Sequence, residues 1–114
     1  MNKIYTNIEQ SKKLAKILPL ESADYVIDTN MDNHIYKCNE ILGLNNGILP
    51  CWSFNKLFDL LPKVNGKYPL LSRSKVNGKY FISYRIGFLD TKNHNELVDA
   101  CVEMIEKLKE NNLM

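Results

Sequence analysis

The chain has little of the material from which reactive sites are usually built. It holds two histidines, His34 and His94, and three cysteines, Cys38, Cys51 and Cys101. An odd number of widely spaced cysteines excludes a disulfide framework and a C-x-x-C zinc pattern, and predicts buried free thiols in a reducing compartment. No apolar run approaches the roughly 18 residues that would cross a bilayer. Met1 to Tyr5 lacks the basic start and apolar stretch of a signal peptide, so a cytoplasmic protein is expected. Nor is there a large excess of one charge. Fifteen lysines and arginines stand against thirteen carboxylates, a net charge of +2, which excludes nucleic-acid binding as an inference from composition and leaves any basic site to be local. A Gly-rich phosphate loop is missing as well. Gly43 and Gly47 have the G-x-x-x-G spacing, but no Lys and Ser/Thr follow, and an ordinary loop is expected there.

What remains is the balance of a globular protein. At 114 residues, with 45% apolar and 25% charged side chains, residues 1–114 are expected to form a single domain with one core. Thr6 and Glu9 have capping-box spacing, and Ile8, Leu14, Ala15 and Leu18 recur at roughly helical intervals before Pro19, predicting a helix over 7–18. Residues 25–29 and 34–40 are rich in β-branched and aromatic side chains around the turn formers Asn30-Met31-Asp32-Asn33, predicting a hairpin. Ser53 is a good N-cap, and Phe54, Leu57, Phe58 and Leu61 make one apolar stripe before Pro62. A last helix over 95–110 is predicted from a second cap, Asn93 with Glu96. Its apolar stripe is Leu97, Cys101, Met104, Ile105 and Leu108, with Glu103 and Lys107 paired at i, i+4. The expected fold is α+β in the order α-β-β-α-β-β-α: an antiparallel sheet of about four strands, made of two hairpins, with three helices on its apolar face.

The hexapeptide Lys-Val-Asn-Gly-Lys-Tyr occurs at 63–68 and again at 75–80. Without a matching period around it, the repetition reads as recurrent turn chemistry. Asn77-Gly78 lies between two strand-like segments and predicts a two-residue type I′ hairpin. That turn would set Lys75 opposite Tyr80, Arg73 opposite Ile82 and Leu71 opposite Tyr84. Two cations would then lie beside Tyr80 and Tyr84 on a face that alternation marks as core, and cations do not enter a core unpaired. Either the turn is longer and the register shifts, or the hairpin projects as a basic, aromatic surface, or the stems snorkel to the rim.

Three stretches resemble a known family. They are Ser11-Lys12-Lys13-Leu14-Ala15 through Ile17-Leu18-Pro19-Leu20-Glu21-Ser22-Ala23-Asp24; Pro50-Cys51-Trp52-Ser53 with Leu57 to Pro62; and Val98-Asp99-Ala100-Cys101-Val102-Glu103-Met104-Ile105. In order and spacing they are similar to small uncharacterised proteins of phages and prophage-like elements of gut bacteria. The resemblance implies a phage or mobile-element origin, and hence the cytoplasm of a bacterial host. It implies no activity, cofactor or site residue. Members often carry a further Trp after the second helix, where this chain has a hairpin rich in Tyr and Lys.

Catalysis finds little support in these residues. Four residues along a strand separate His34 from Cys38 by ~13 Å, too far for a dyad. The carboxylate pairs Glu21/Asp24 and Asp28/Asp32 flank turns and helix starts, where such groups usually cap. No catalytic, metal or cofactor site is therefore expected. Candidate ligand-binding residues are Arg73, Lys75, Tyr80 and Tyr84, with Trp52 either a stacking platform or a lid on the core. The expected function is binding without catalysis, as an accessory protein that sequesters a nucleotide signal or blocks a host protein. The alternative is a DNA- or RNA-binding regulator, and a small enzyme would need His34 or His94 gathered with a carboxylate or thiol. An exposed hairpin edge leaves a homodimer open.

Overall fold

The computed structural model describes residues 4–37 and 47–114. Within them the chain is α+β. Helix α1 spans Ile8–Leu14, strands β1, β2 and β3 span Tyr25–Asp28, His34–Lys37 and Ile48–Cys51, and helix α2 spans Phe54–Leu60. Strands β4 (Leu70–Arg73) and β5 (Tyr80–Ser83) follow, and helix α3 (Leu97–Glu110) closes the order. The three predicted helices are present, but the two hairpins do not merge. The first sheet runs β2-β1-β3 and the second β4-β5, all antiparallel. Strand β3, which the sequence reading does not anticipate, joins the first sheet as an edge, the position where a strand tolerates a proline such as Pro50. Cys38, Gly43 and the last residues of the predicted second strand lie outside the described residues.

Local capping departs from expectation by one residue at α1. Asn7 is the N-cap, in a capping box with Gln10. Thr6 is instead buried, bonded to Ser11 Oγ at 2.8 Å and accepting the Trp52 amide at 3.2 Å. The helix ends at Leu14, four residues early, and continues as a tighter turn in which the Lys16 and Ile17 amides reach Lys13 O and Leu14 O at 3.2 and 2.9 Å; Leu18, before Pro19, closes it, since a residue before proline avoids the helical region. At α2, Ser53 caps as expected, accepting the Lys56 amide. Asn93 does not cap α3, which begins after Glu96 without a side-chain cap.

Helix α3 is the centre of the core. Seven of its residues are buried, among them Val98, Ala100 and Val102 beyond the predicted stripe, because α2 covers one flank and β5 another. Leu14 and Leu18, Leu57 and Leu61, Ile82 and Tyr84, and Leu89 pack into the same cluster.

Strand β5 is paired on both edges. On one side β4 runs in a register that sets Arg73 opposite Tyr80 and Leu71 opposite Ile82. On the other, residues 89–94 return alongside it. Tyr84 donates to Leu89 O, Thr91 to Ile82 O, and Tyr80 and His94 exchange both backbone bonds. Bridges at Ser83/Asp90 and Tyr80/His94 differ by one residue in register, the signature of a β-bulge. At the bulge the Thr91 hydroxyl stands in for a backbone acceptor and takes the Ile82 amide at 2.9 Å.

The two copies of the hexapeptide fold differently. In the first, Val64 and Lys67 exchange backbone bonds at 2.9 Å around Asn65 and Gly66, at φ 50° and 75°, which is the type I′ signature. In the second, Ser74 and not Val76 closes the loop, its amide donating to Lys79 O while the Gly78 amide donates back to Ser74 O. The predicted two-residue turn is thus corrected to a loop two residues longer. The physical reason is charge: the tighter turn would carry Arg73 to the fully buried Ile82, and desolvating an unpaired guanidinium costs several kcal/mol. Val64 is 5% exposed and Val76 94%, so the same substitution should have opposite outcomes in the two copies. Val64→Ala is expected to cost about 2 kcal/mol, and Val76→Ala less than about 0.5 kcal/mol. Urea denaturation reads both; equal losses would contradict the two conformations.

Candidate functional site

The longer loop decides where the candidate residues stand. Arg73 sits at the rim of the buried face. Its Nε donates to Gly78 O at 3.0 Å, its Cζ lies 5.9 Å from the Tyr80 ring centroid, and its terminal nitrogens have no partner among the described residues. Lys75 is exposed in the loop, and Tyr80 is half-buried. These three are brought together at one end of the second sheet. Tyr84 and Trp52 are not: both are fully buried, Tyr84 donating to Pro62 O at 2.7 Å and Trp52 Nε1 to Ser22 Oγ at 3.0 Å. A ring enclosed by core cannot stack on a ligand, so Trp52 is a core residue and Tyr84 leaves the surface for the reason Arg73 does not enter the core.

Residues that the sequence reading passed over extend the site. Between Lys63 and Lys92 the chain carries seven lysines and arginines and one carboxylate, Asp90, whereas the rest is net acidic, eight against twelve. A running charge count would have found this; the net charge of +2 conceals it. Asp90 accepts from the Ser83 hydroxyl. No lysine or arginine from Lys63 to Arg85 has a carboxylate partner among the described residues. At the opposite end of β4 from Arg73, Lys63 Nζ lies 4.8 Å from the Tyr68 ring centroid and Lys67 Nζ donates to Arg85 O at 3.3 Å. Tyr68 and Phe88 are large rings left in the open nearby in the chain, 67% and 57% exposed. The first copy of the hexapeptide thus places its Lys63 over its own Tyr68, and the tyrosine of the second copy, Tyr80, takes its cation from Arg73 just before that copy, an arrangement that suits phosphates and planar rings.

The histidines divide. His34 packs edge-on against Tyr36 in the exposed strand β2. His94 meets a carboxylate: Nε2 is 2.6 Å from Glu103 Oε1, at a pair only 26% and 21% exposed. The same carboxylate accepts the Lys92 amide, which the bulge leaves unpaired, at 3.0 and 3.3 Å, and lies 3.7 Å from Lys107 Nζ. A general base needs a nucleophile within reach. Cys51 and Cys101 are buried elsewhere in the fold, and the nearby Thr91 hydroxyl already donates to Lys92 O. The geometry is that of a joint between α3 and the bulge. A shallow apolar hollow lined by Ile8, Ile27 and Ile35 lies apart from both groups and holds no lysine or arginine. No group of three or more His, Cys, Asp or Glu that could hold a metal occurs among the described residues, and no helix there is long and apolar enough to cross a membrane.

Burial sets the titration of the core. It pushes the Cys101 thiol from 9.0 up to about 12, and the Tyr84 hydroxyl from 10.0 up to about 12. Both groups hold their protons in the folded protein at pH values where the unfolded chain releases them, so stability is whole below about pH 9 and falls above it. Cys101 alone accounts for about 1.4 kcal/mol per pH unit until its folded pKa is reached. Thermal melts between pH 8 and 11 are expected to show that decline, and Cys101→Ala to flatten it; an unchanged slope would contradict the assignment. Glu103→Ala, which removes the acceptor of the Lys92 amide and of His94, is expected to cost about 1–2 kcal/mol. A loss no greater than that of the neighbouring Glu106→Ala would show the joint to be idle.

Comparison of the chain with family models, with curated proteins and with solved structures finds no match, so the functional reading rests on the geometry.

Proposed function

We propose that this chain is a non-catalytic binding domain, an accessory protein of a phage or mobile element, whose ligand carries phosphate and a planar ring. The observation that carries the reading is the cluster at the 74–79 loop: Arg73 beside Tyr80 with its terminal nitrogens unpartnered, and Lys75 exposed next to it. A guanidinium already fixed by one backbone bond and one ring keeps little rotamer freedom to lose, so a phosphate oxygen meets a preorganised donor. The half-buried Tyr80 sets an aromatic ring beside that donor, so a base bound with its phosphate there meets both. A nucleotide satisfies both demands, and its capture would withdraw a nucleotide signal from a host. The phage resemblance and the engagement of His94 in a structural joint favour capture over turnover.

Calorimetry against ATP, a cyclic dinucleotide and ADP-ribose tests the reading. At least one is expected to bind, and Arg73→Ala to weaken it ten- to a hundredfold, the worth of a charge-assisted bond. The reading fails if none binds or if Arg73→Ala changes nothing.

A further inference from the structure

Alternation along β4 and β5 puts Leu71, Ile82 and Tyr84 into the core, where α3 covers them. Leu70, Ser72, Phe81 and Ser83 therefore share the other face. Phe81 is half-buried there, yet stands outside the apolar cluster that holds the rest of the core. The side chains around it are small hydroxyls and an exposed leucine, and the carboxylate nearest in the pairing, Asp90, is held by Ser83. A phenylalanine flanked by serines offers part of its ring to a flat partner, and Asp90, which keeps its charge while bonded to Ser83, is the one negative group that the seven cations of the 63–92 segment must outweigh.

The two ends of that face are basic. The 74–79 loop brings Lys75 and Lys79 to one end, with Arg73 beside Tyr80 on the other side of the sheet; the 63–68 turn and the turn after β5 bring Lys63, Lys67 and Arg85 to the other end. From Tyr68 to Ser74 the chain advances about 20 Å at strand rise, further than one nucleotide reaches. Charge complementarity therefore asks for an anion with phosphates repeated along its length. Exposed rings ask that its bases be unstacked and available, which a strand provides and a duplex does not. Helices α1 and α2 have seven residues each and the outer side of α3 carries Glu103, Glu106 and Glu110, so the described residues offer no long basic helix for a major groove.

We infer that the open face of β4 and β5 carries a single strand of nucleic acid, its phosphates held at the two basic ends and a base stacked on Phe81. This rests on the phosphate-and-ring reading above and names its ligand.

Fluorescence anisotropy with labelled dT12 and rU12 in 50 mM salt tests it, with the full chain and variants whose melts match the parent. Binding is expected, weakening roughly twentyfold between 50 and 200 mM salt if three phosphates are contacted. Phe81→Ala is expected to weaken it five- to a hundredfold. Lys67→Ala, far from the 74–79 loop, should weaken the strand and leave ATP binding unchanged. A 12-base-pair duplex bound as tightly as the strand, or a strand indifferent to both substitutions, overturns the inference. If ATP binds in an Arg73-dependent manner and neither strand does, the inference falls while the proposed function stands; if nothing binds, both fall.

Discussion

A guanidinium will not sit unpaired among apolar side chains, and the second half of this chain is arranged around that prohibition. With Arg73 opposite Tyr80, Leu71 falls opposite Ile82 and can pack against the core, and the surplus residues collect in the loop closed by Ser74 and Lys79. Arg73 is then left at the rim, steadied by Gly78 O and the Tyr80 ring. A register two residues tighter would exchange each of these placements for a worse one. Turn preference is a local effect, and it yields to the desolvation of a charge.

The far edge of β5 shows the same economy in polar groups. The bulge at Thr91 and Lys92 breaks the backbone ladder, yet every group it displaces finds a partner. The Thr91 hydroxyl takes the Ile82 amide, and Glu103 takes the Lys92 amide together with His94. Among the described residues no buried side-chain polar atom lacks a partner. Because residues 89–94 occupy this edge, the first sheet cannot add to β5, and the molecule has two small sheets where one larger one is possible.

Charge is distributed to match. Of the acidic residues of α3, Glu103 is drawn into the joint, Asp99 takes the Gln10 amide and Glu110 is exposed, while the segment from Lys63 to Lys92 is almost free of carboxylates. Cations without carboxylate partners, set beside rings at both ends of a strand, contribute nothing obvious to folding. Surface pairs contribute little in any protein, so their omission costs little stability here and leaves the positive field intact for a ligand.

The helices, the first hairpin and the buried thiols of Cys51 and Cys101 were legible in the sequence, because each depends on neighbours within a few residues: the stripe Phe54, Leu57, Phe58 and Leu61, the Ser53 cap, the alternation of Tyr80, Ile82 and Tyr84. What tertiary structure decided was everything in which two local options were close in energy. Lys-Val-Asn-Gly-Lys-Tyr makes a type I′ turn where its valine reaches the core and an open loop where its valine faces water. Thr6, a sound cap by spacing, was claimed by the Trp52 amide, and Pro50 entered an edge strand that no pattern announced. Identical residues took different conformations because burial of distant partners, which acts over the whole fold, outweighs the small local preferences that a sequence window contains.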